Sequence, residues 1–582
     1  MTEGTSAATL DDDALEAPPR TIGSDAPLIL GVNRTQDGSV CLMQGSRLLF
    51  AIQKERLTRQ KHHWGKLDDF RGVYVPALAG LDRPIDVLVE GFSSDDEFKR
   101  LPDYEAELRE VLQLSPQCRR ARISHHLSHV YSVFPPSPFE QAAVMIVDGQ
   151  GSPAAQFMET YPGRDDTPDH HREVSSFYVA DRSGRVQCLA KQTWDGDSAR
   201  PVGLGMFYFW LTQAMFPGEG NEGKVMGLAP HGDPDALGLP PLEVDPPNVT
   251  IPEAWQAIVR ERPRFRYVSG DTTRFRDIAN LAAAGQRAFE EALLALARWL
   301  HETTRLDALC FAGGTALNCA ANDRLLRESP FGRVFIPPAP SDAGTSLGCA
   351  IYGLTEVLGR PCDFRWTRDF LGPEHPLAEI DAALRDADDL VVERPDDLCN
   401  ALVDLLCASQ VVGLFQGGSE FGPRALGHRS ILGDPRNGEM RDWINAKVKE
   451  REWFRPLAPI VLLEEADRYF DIRRPSPFMQ FAAPVRADAA AMIPAVTHVD
   501  CTARLQTVAR DDDPLLRQLL ERFAARTGVP VLLNTSFNRK EEPIVETPAE
   551  AVRTFRRTPM HALAMPPYIV RKRVPPEPVG PV

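Results

Sequence analysis

Runs of apolar residues broken by short polar turns organise this chain from residue 28 onward. Leu28–Asn33 reads as a fully buried strand, turning near Asp37-Gly38 into a second at Ser39–Met43 and through Gly45 into a third at Leu48–Ile52. The order then recurs. Val144–Val147 ends in Asp148-Gly149, and the run Ala154–Met158 predicts a hairpin partner. Leu281–Thr304, rich in Ala, Leu, Glu and Arg, predicts a long helix. It feeds a strand over Leu306–Phe311 and then Gly313-Gly314 before a helix start, where backbone N–H groups can meet an anion. The loop Pro338–Ser346 opens a helix through Tyr352, and this α/β unit, 28–358, closes near residue 358. Pro and Asp punctuate 359–397, which reads as a linker. A second α/β unit over 398–572 has strands predicted at Val411–Phe415 and Val529–Asn534, the latter running into a polar loop. Residues 1–27, acidic and rich in small side chains, read as a disordered tail, and 573–582 as a loose Pro-rich one.

Strand, Asp-Gly turn and hairpin strand, occurring twice, is the phosphate-facing opening of actin-like ATPase folds. Two unrelated strands ending in Asp-Gly would read the same way, so the repeat alone leaves both open. Composition narrows function more than fold. The formal net charge of −16 argues against a nucleic-acid surface. No apolar stretch nears the length of a membrane-spanning helix, and the start lacks the charged-then-apolar order of a signal peptide. The 10 cysteines include no CxxC pair, which argues against structural zinc and a disulfide framework and favours the cytoplasm.

Three sets of residues carry candidate chemistry. His125 and His129 stand four apart, on one face of a helix. With Asp148 at a strand end and Asp342 in a Gly-flanked loop they compose a ligand set suited to iron, zinc or manganese. The metalloprotease helix shares the spacing but needs a Glu where this chain has His126. Gly218–Lys224 matches both G-x-G-x-x-G and G-x-x-x-x-G-K. Context defeats both readings, because Phe207–Trp210 predicts a preceding helix, Val225 replaces the magnesium-binding hydroxyl, and Glu219 and Glu222 repel phosphate. The expectation is a flexible loop presenting Lys224 to a substrate or nucleotide. Only 10 of 65 basic residues are lysine, so Lys61 and Lys224 stand out. Third, Glu420–Ser430, Arg455, Arg504 and Asn534–Asn538 combine guanidinium forks suited to phosphate with neutral donors suited to an acyl group. Ordinary surface arginine is the alternative.

Taken in order, Glu55–His62, His125–His129, Gly223–Pro230, Gly313–Asn318, Ser341–Gly344, Gly422–Gly427, Phe454–Pro456 and Asn534–Asn538 resemble the O-carbamoyltransferases of antibiotic and nodulation-factor biosynthesis. The resemblance covers about Leu28 to Arg571. It implies an α/β protein with an N-terminal actin-like (ASKHA) domain, similar to threonylcarbamoyl-transferring ATPases, and a C-terminal YrdC-like domain. It also implies an ATP-dependent reaction. Carbamoyl phosphate is split in the C-terminal domain, carbamate and ATP give carbamoyl adenylate and pyrophosphate, and an acceptor hydroxyl attacks the adenylate in the N-terminal domain.

By the same resemblance His125, His129, Asp148 and Asp342 hold a divalent metal of iron(II) type, with manganese or zinc as alternatives, and Mg accompanies ATP. Lys61, Gly313, Gly314, Asn318 and Asn538 contact the adenylate, while Arg424, Arg455, Arg504, Asn534 and Ser536 bind carbamoyl phosphate. Asn221 faces the acceptor, and Gln36, Asp37 and Lys224 are the catalytic candidates. Family members often carry His where this chain has Gln36, and a Gln can orient a hydroxyl but cannot take its proton. The partners implied are carbamoyl phosphate, ATP and a small hydroxyl acceptor, with no nucleic acid or membrane and a homodimer left open. Threonylcarbamoyl transfer to tRNA and a non-catalytic nucleotide- or metal-sensing scaffold are the rival readings.

Overall fold

The computed structural model describes residues 26–582 apart from 67–68, 75–77, 79–80, 82, 93–107, 109, 261 and 386. All but the last two residues of the tail expected over 1–27 lie outside the described residues. Strands β1 (Leu28–Asn33), β2 (Ser39–Gln44), β3 (Arg47–Gln53), β4 (Ile85–Gly91) and β5 (Leu114–Ile123) form a sheet of order β3-β2-β1-β4-β5. The next strands are β6 (Gln141–Val147), β7 (Arg172–Asp181) and β8 (Val186–Trp194), a separate hairpin of β9 (Glu243–Asp245) and β10 (Asn248–Thr250), then β11 (Ala308–Ala312) and β12 (Arg333–Phe335). The second sheet runs β12-β11-β6-β7-β8. In both sheets a three-stranded antiparallel meander is extended by two parallel strands on the side of its first strand. This duplicated topology is the actin-like arrangement. The central strands are near-continuous apolar runs because helices cover both faces: β1 is buried throughout and β6 at every residue but Gln141.

One expected strand is not there. Ala154–Gln156 forms a single 3-10 turn, and the hairpin partner of β6 is β7, beginning at Arg172. Pro153 lacks a ladder donor and Ala has little β propensity, whereas Arg172–Asp181 is rich in β-branched and aromatic residues.

The C-terminal unit is a mixed sheet of eight strands. Its strands are β13 (Leu390–Glu393), β14 (Val412–Phe415), β15 (Arg429–Gly433), β16 (Ala458–Leu462), β19 (Gln506–Val508), β20 (Val531–Ser536), β21 (Ala562–Met565) and β22 (Tyr568–Lys572), with β17 (Ala482–Pro484) and β18 (Thr502–Arg504) as a separate pair. The stretch 359–397 is more than a connector. Its backbone bonds to the first unit (Ala51 N–H to Leu371 O, Trp366 N–H to Pro136 O), then forms the helix Leu377–Arg385 and the edge strand β13. Ile380 and Leu384 are the apolar stripe that docks this helix, a pattern too short to stand out among Pro and Asp. Val579 of the terminal tail packs on the C-terminal core. One apolar cluster runs unbroken from β1 and β6 through Trp366, Phe421 and Leu426 to the helix Pro514–Thr527.

Two helices of the first unit decide where its functional side chains meet. His125–Val133 is buried at every residue, and Thr345–Tyr352 lies against it. A Cβ at Gly348 would stand 1.8 Å from the backbone oxygen of Ser128, so only glycine permits this spacing. Gly348→Ala is expected to push the helices apart, cost about 1–3 kcal/mol by overpacking, and lower the melting temperature in a thermal scan.

Candidate functional site

Four segments deliver the four candidate metal ligands to one point. His125 and His129 come from the helix His125–Val133, Asp148 from the end of β6, and Asp342 from the 3-10 turn opening the helix Thr345–Tyr352. Their ligand atoms all lie within 4.8 Å of one another. The imidazole Nε2 atoms stand 3.3 Å apart; Asp148 Oδ2 lies 3.5 Å from His125 Nε2 and 3.2 Å from His129 Nε2. Asp342 Oδ1 lies 3.5 and 3.9 Å from the same two nitrogens. A first-row divalent metal bound at about 2.1 Å sets ligand-to-ligand edges of about 3.0–3.4 Å, so small inward rotations close this set around an ion. Asp148 Oδ2 is buried with no hydrogen-bond donor, as expected of an atom facing a cation. Burial lowers the basicity of His125, yet Asp342 and Asp148 overcome it and raise its pKa well above the ordinary value. Burial raises Asp148, yet His125 and His129 bring its pKa well below. Here imidazolium charge balances carboxylate charge, a balance a divalent ion can supply instead.

The loop Gly313-Gly314 lies against this cluster. Gly313 has φ +100°, and a Cβ there would stand 2.2 Å from Val147 O; one on Gly314 would stand 3.0 Å from Asp148 Oδ1. Backbone therefore lies flat beside the carboxylate. Asn318 is otherwise engaged: it caps the helix Cys319–Glu328 through Ala321 N–H and exchanges two hydrogen bonds with Gln286.

On the facing side, Asn33 Nδ2 donates to the backbone oxygens of Gln36, Asp37 and Asp342, and Thr35 Oγ1 donates to Asp342 Oδ2. The turn holding Gln36 and Asp37 is thus tied to a candidate metal ligand. The side chain of Gln36 makes no hydrogen bond to the described residues. Asp37 Oδ1 instead meets His62 Nδ1 at 2.8 Å. The segment Gly218–Lys224 is a loop only in part: Glu222–Leu228 is helical, which places Lys224 on a helix, where its Nζ meets Glu452 Oε1 at 3.0 Å. Asn221 spends its amide nitrogen on the oxygens of Phe216, Pro217 and Gly218 and so shapes the turn.

Glu452 belongs to the C-terminal unit, and around it the expected arginines converge. Arg424, pushed down to about 9, is depressed first by burial and then by Arg504, with Arg455 adding to it. Arg455 is lowered by burial against the pull of Glu452, with Arg504 lowering it further. Burial, Arg455 and Lys224 lower Lys61, opposed by Glu55. Arg424 also donates to Leu317 O, beside the Gly313-Gly314 loop. β20 extends to Ser536, so Asn534 and Ser536 share one face of a strand. Asn534 Oδ1 is buried without a partner, and Asn538 Oδ1 accepts from Ser536 Oγ and Lys449 Nζ.

Sequence reasoning missed Lys449, Arg451, Glu452 and His62. Burial and neighbouring cations drive the pKa values of Lys449 and Arg451 well below normal. The signal was available, since Lys449 shares the rarity that singled out Lys61 and lies six residues before Arg455. His62 had no such signal, because its partner Asp37 is 25 residues away.

Two family models match this sequence. "Carbamoyltransferase N-terminus" matches residues 104–243 and 253–351, and "Carbamoyltransferase C-terminus" matches 403–572. Nodulation protein NolNO of Sinorhizobium fredii is 33% identical over 92% of this chain and 79% of its own length. Nodulation protein NolO of Bradyrhizobium diazoefficiens is 36% identical over 78% of this chain and 79% of its own. The 3'-hydroxymethylcephem-O-carbamoyltransferase of Amycolatopsis lactamdurans is 29% identical over 90% and 95% respectively.

Burial pulls His62 down, but the Asp37 hydrogen bond and charge, with Glu55, raise it from 6.5 to about 9. The pair therefore stabilises the fold fully below about pH 6.5, and that contribution is lost as pH rises through about 9. Asp37→Asn is expected to drop the His62 pKa by two units or more, measured by NMR titration of the imidazole Cε1–H.

Proposed function

The chain belongs to the carbamoyltransferase family, and from that premise we propose that it carries a carbamoyl group from carbamoyl phosphate, through carbamoyl adenylate, to a hydroxyl of a small natural product. The carrying observation is a seam joining the two units in which Lys61, Arg424, Lys449, Arg451 and Arg455 are depressed by burial and by neighbouring cations, Lys224 and Arg504 among them. Like charges held this close need an anion, and phosphate oxygens match guanidinium forks. In this reading Arg424, Arg455 and Arg504 seat carbamoyl phosphate in a YrdC-like unit at 398–572, with Asn534 and Ser536 on the carbamoyl amide. Water releases carbamate and phosphate. The carbamate oxygen attacks the α-phosphorus of Mg-ATP and pyrophosphate leaves.

The resulting anhydride crosses the cationic seam without meeting bulk water, which would hydrolyse it. Lys61, the Gly313-Gly314 backbone and Asn538 hold its nucleotide. The acceptor hydroxyl attacks the carbamoyl carbon, AMP leaves, Gln36 orients the hydroxyl, and its proton passes to the Asp37 carboxylate, which His62 holds in place. His125, His129, Asp148 and Asp342 would hold a metal of iron(II) type, which when bound supplies Lewis acidity beside the anhydride. Relatives named as a nodulation protein and as a 3'-hydroxymethylcephem-O-carbamoyltransferase support a natural-product acceptor. The free cysteines, most of them buried, fit a cytoplasmic setting.

Pyrophosphate and AMP assays with carbamoyl phosphate, ATP and an alcohol test this reading; no release of either with any acceptor refutes the adenylate route. Arg455→Ala is expected to slow pyrophosphate release about a hundredfold, from loss of about 3 kcal/mol of phosphate binding. His125→Ala should still release phosphate from carbamoyl phosphate yet form no carbamoylated product by mass spectrometry.

A further inference from the structure

Behind the metal-ligand helix lies a charged network that the chemistry above does not use. The helix His125–Val133 starts after Ser124, whose side chain makes no capping bond. Its first two amides are satisfied from far along the chain. His125 N–H donates to Ser152 Oγ at 2.9 Å, and His126 N–H donates to Glu173 Oε1 at 2.9 Å. Glu173 Oε1 also accepts from Ser152 N–H at 3.2 Å, so one carboxylate fixes both the helix and the residue that caps it.

Glu173 is fully buried, and its other oxygen meets the equally buried Lys191 Nζ at 2.5 Å. Lys191 is itself enclosed by Glu159 Oε1 at 3.0 Å, Tyr178 OH at 3.0 Å and Ser176 Oγ at 3.2 Å. Glu173 sits on β7, whose next residue, Val174, accepts the backbone N–H of Asp148. One short stretch of strand thus grips Asp148 through its backbone and the histidine helix through a side chain.

We infer that Glu173 and Ser152 are positioning residues of the metal centre, and that Lys191 is the cation that pairs with Glu173 in the interior. The inference rests on the metal reading above. An N-terminal carboxylate satisfies amides that would otherwise be orphaned and favours the helix dipole. Here it also sets the rotation of the helix about its axis, and with it the direction of both imidazoles relative to Asp148. Removing the cation would strand both Glu173 and Glu159, whereas removing the Glu173 charge while keeping an acceptor leaves Lys191 paired with Glu159 and preserves the cap.

Cobalt(II) titration of the full-length protein tests this by affinity and by the visible d–d band. Unaltered protein is expected to bind one Co2+ with a band that His129→Ala abolishes; no band in the unaltered protein overturns the metal reading and this inference together. Glu173→Ala and Glu173→Gln both delete the Glu173–Lys191 pair and leave Lys191 with Glu159, but only the second keeps an acceptor for the His126 amide. The Kd for Co2+ is expected to rise about 10–100-fold in the first and to stay within about threefold in the second, with the band restored. Should the first fail to fold, Ser152→Ala, which deprives the His125 amide of its acceptor, is expected to raise the Kd about tenfold. Unchanged Co2+ affinity in every folded variant overturns the positioning role and leaves the metal reading standing.

Discussion

Two imidazoles and two carboxylates cannot be driven together in an interior unless their charges are balanced at the point of meeting. That requirement organises the first unit. His125 and His129 are 0–1% exposed, and Asp148 and Asp342 reach them from the ends of segments that belong to different strands and helices. The approach depends on the close contact at Gly348, on β7 gripping both the helix and Asp148, and on Asn33 tying the Gln36–Asp37 turn to Asp342. The duplicated sheet brings the end of β6 to the gap between its two halves. In open α/β sheets that end is where ligands bind.

The seam between the units poses the opposite electrostatic problem. Around the candidate metal ligands opposite charges compensate one another; at the seam the cations outnumber the carboxylates that answer them, Glu452 with Glu55 and Glu542. Folding gains little from burying Arg424, Arg451 and Lys449 in one another's company, as their lowered pKa values record. Such an arrangement stores unfavourable free energy that an anion would relieve. The adjoining apolar cluster, continuous through Phe421 and Leu426, holds the units close enough for Arg424 to touch Leu317 O across the boundary. The 3.0 Å contact between Lys224 and Glu452 spans it as well.

Much of this was legible in one dimension because local physics dominated there. Apolar runs for β1, β6 and β11, the long helix ending at Thr304, and the glycine pair before Asn318 all follow from periodicity and turn chemistry. The His125/His129 pair was readable because four residues make about one helical turn. Where long-range pairing outweighed local preference, the reading slipped. Ala154–Met158 is apolar enough to pass for a short strand, but its alanines favour one little and β6 finds better backbone partners in Arg172–Asp181. Likewise 359–397 hides a docked helix behind its prolines, and Lys224 lies on a helix because Glu222–Leu228 propagates from a glycine turn.

The amino-acid order by itself determined which residues could do chemistry and, Lys224 excepted, much of the local element on which they would stand, since those are matters of side-chain type and spacing. It did not determine which of them meet. His62 with Asp37, Glu173 with the amide of His126, and Lys449 with Asn538 are separated by 25, 47 and 89 residues. No local signal spans such gaps. Only the tertiary structure chose these pairs, because buried polar groups must find partners and the packed sheets leave each group few to choose from.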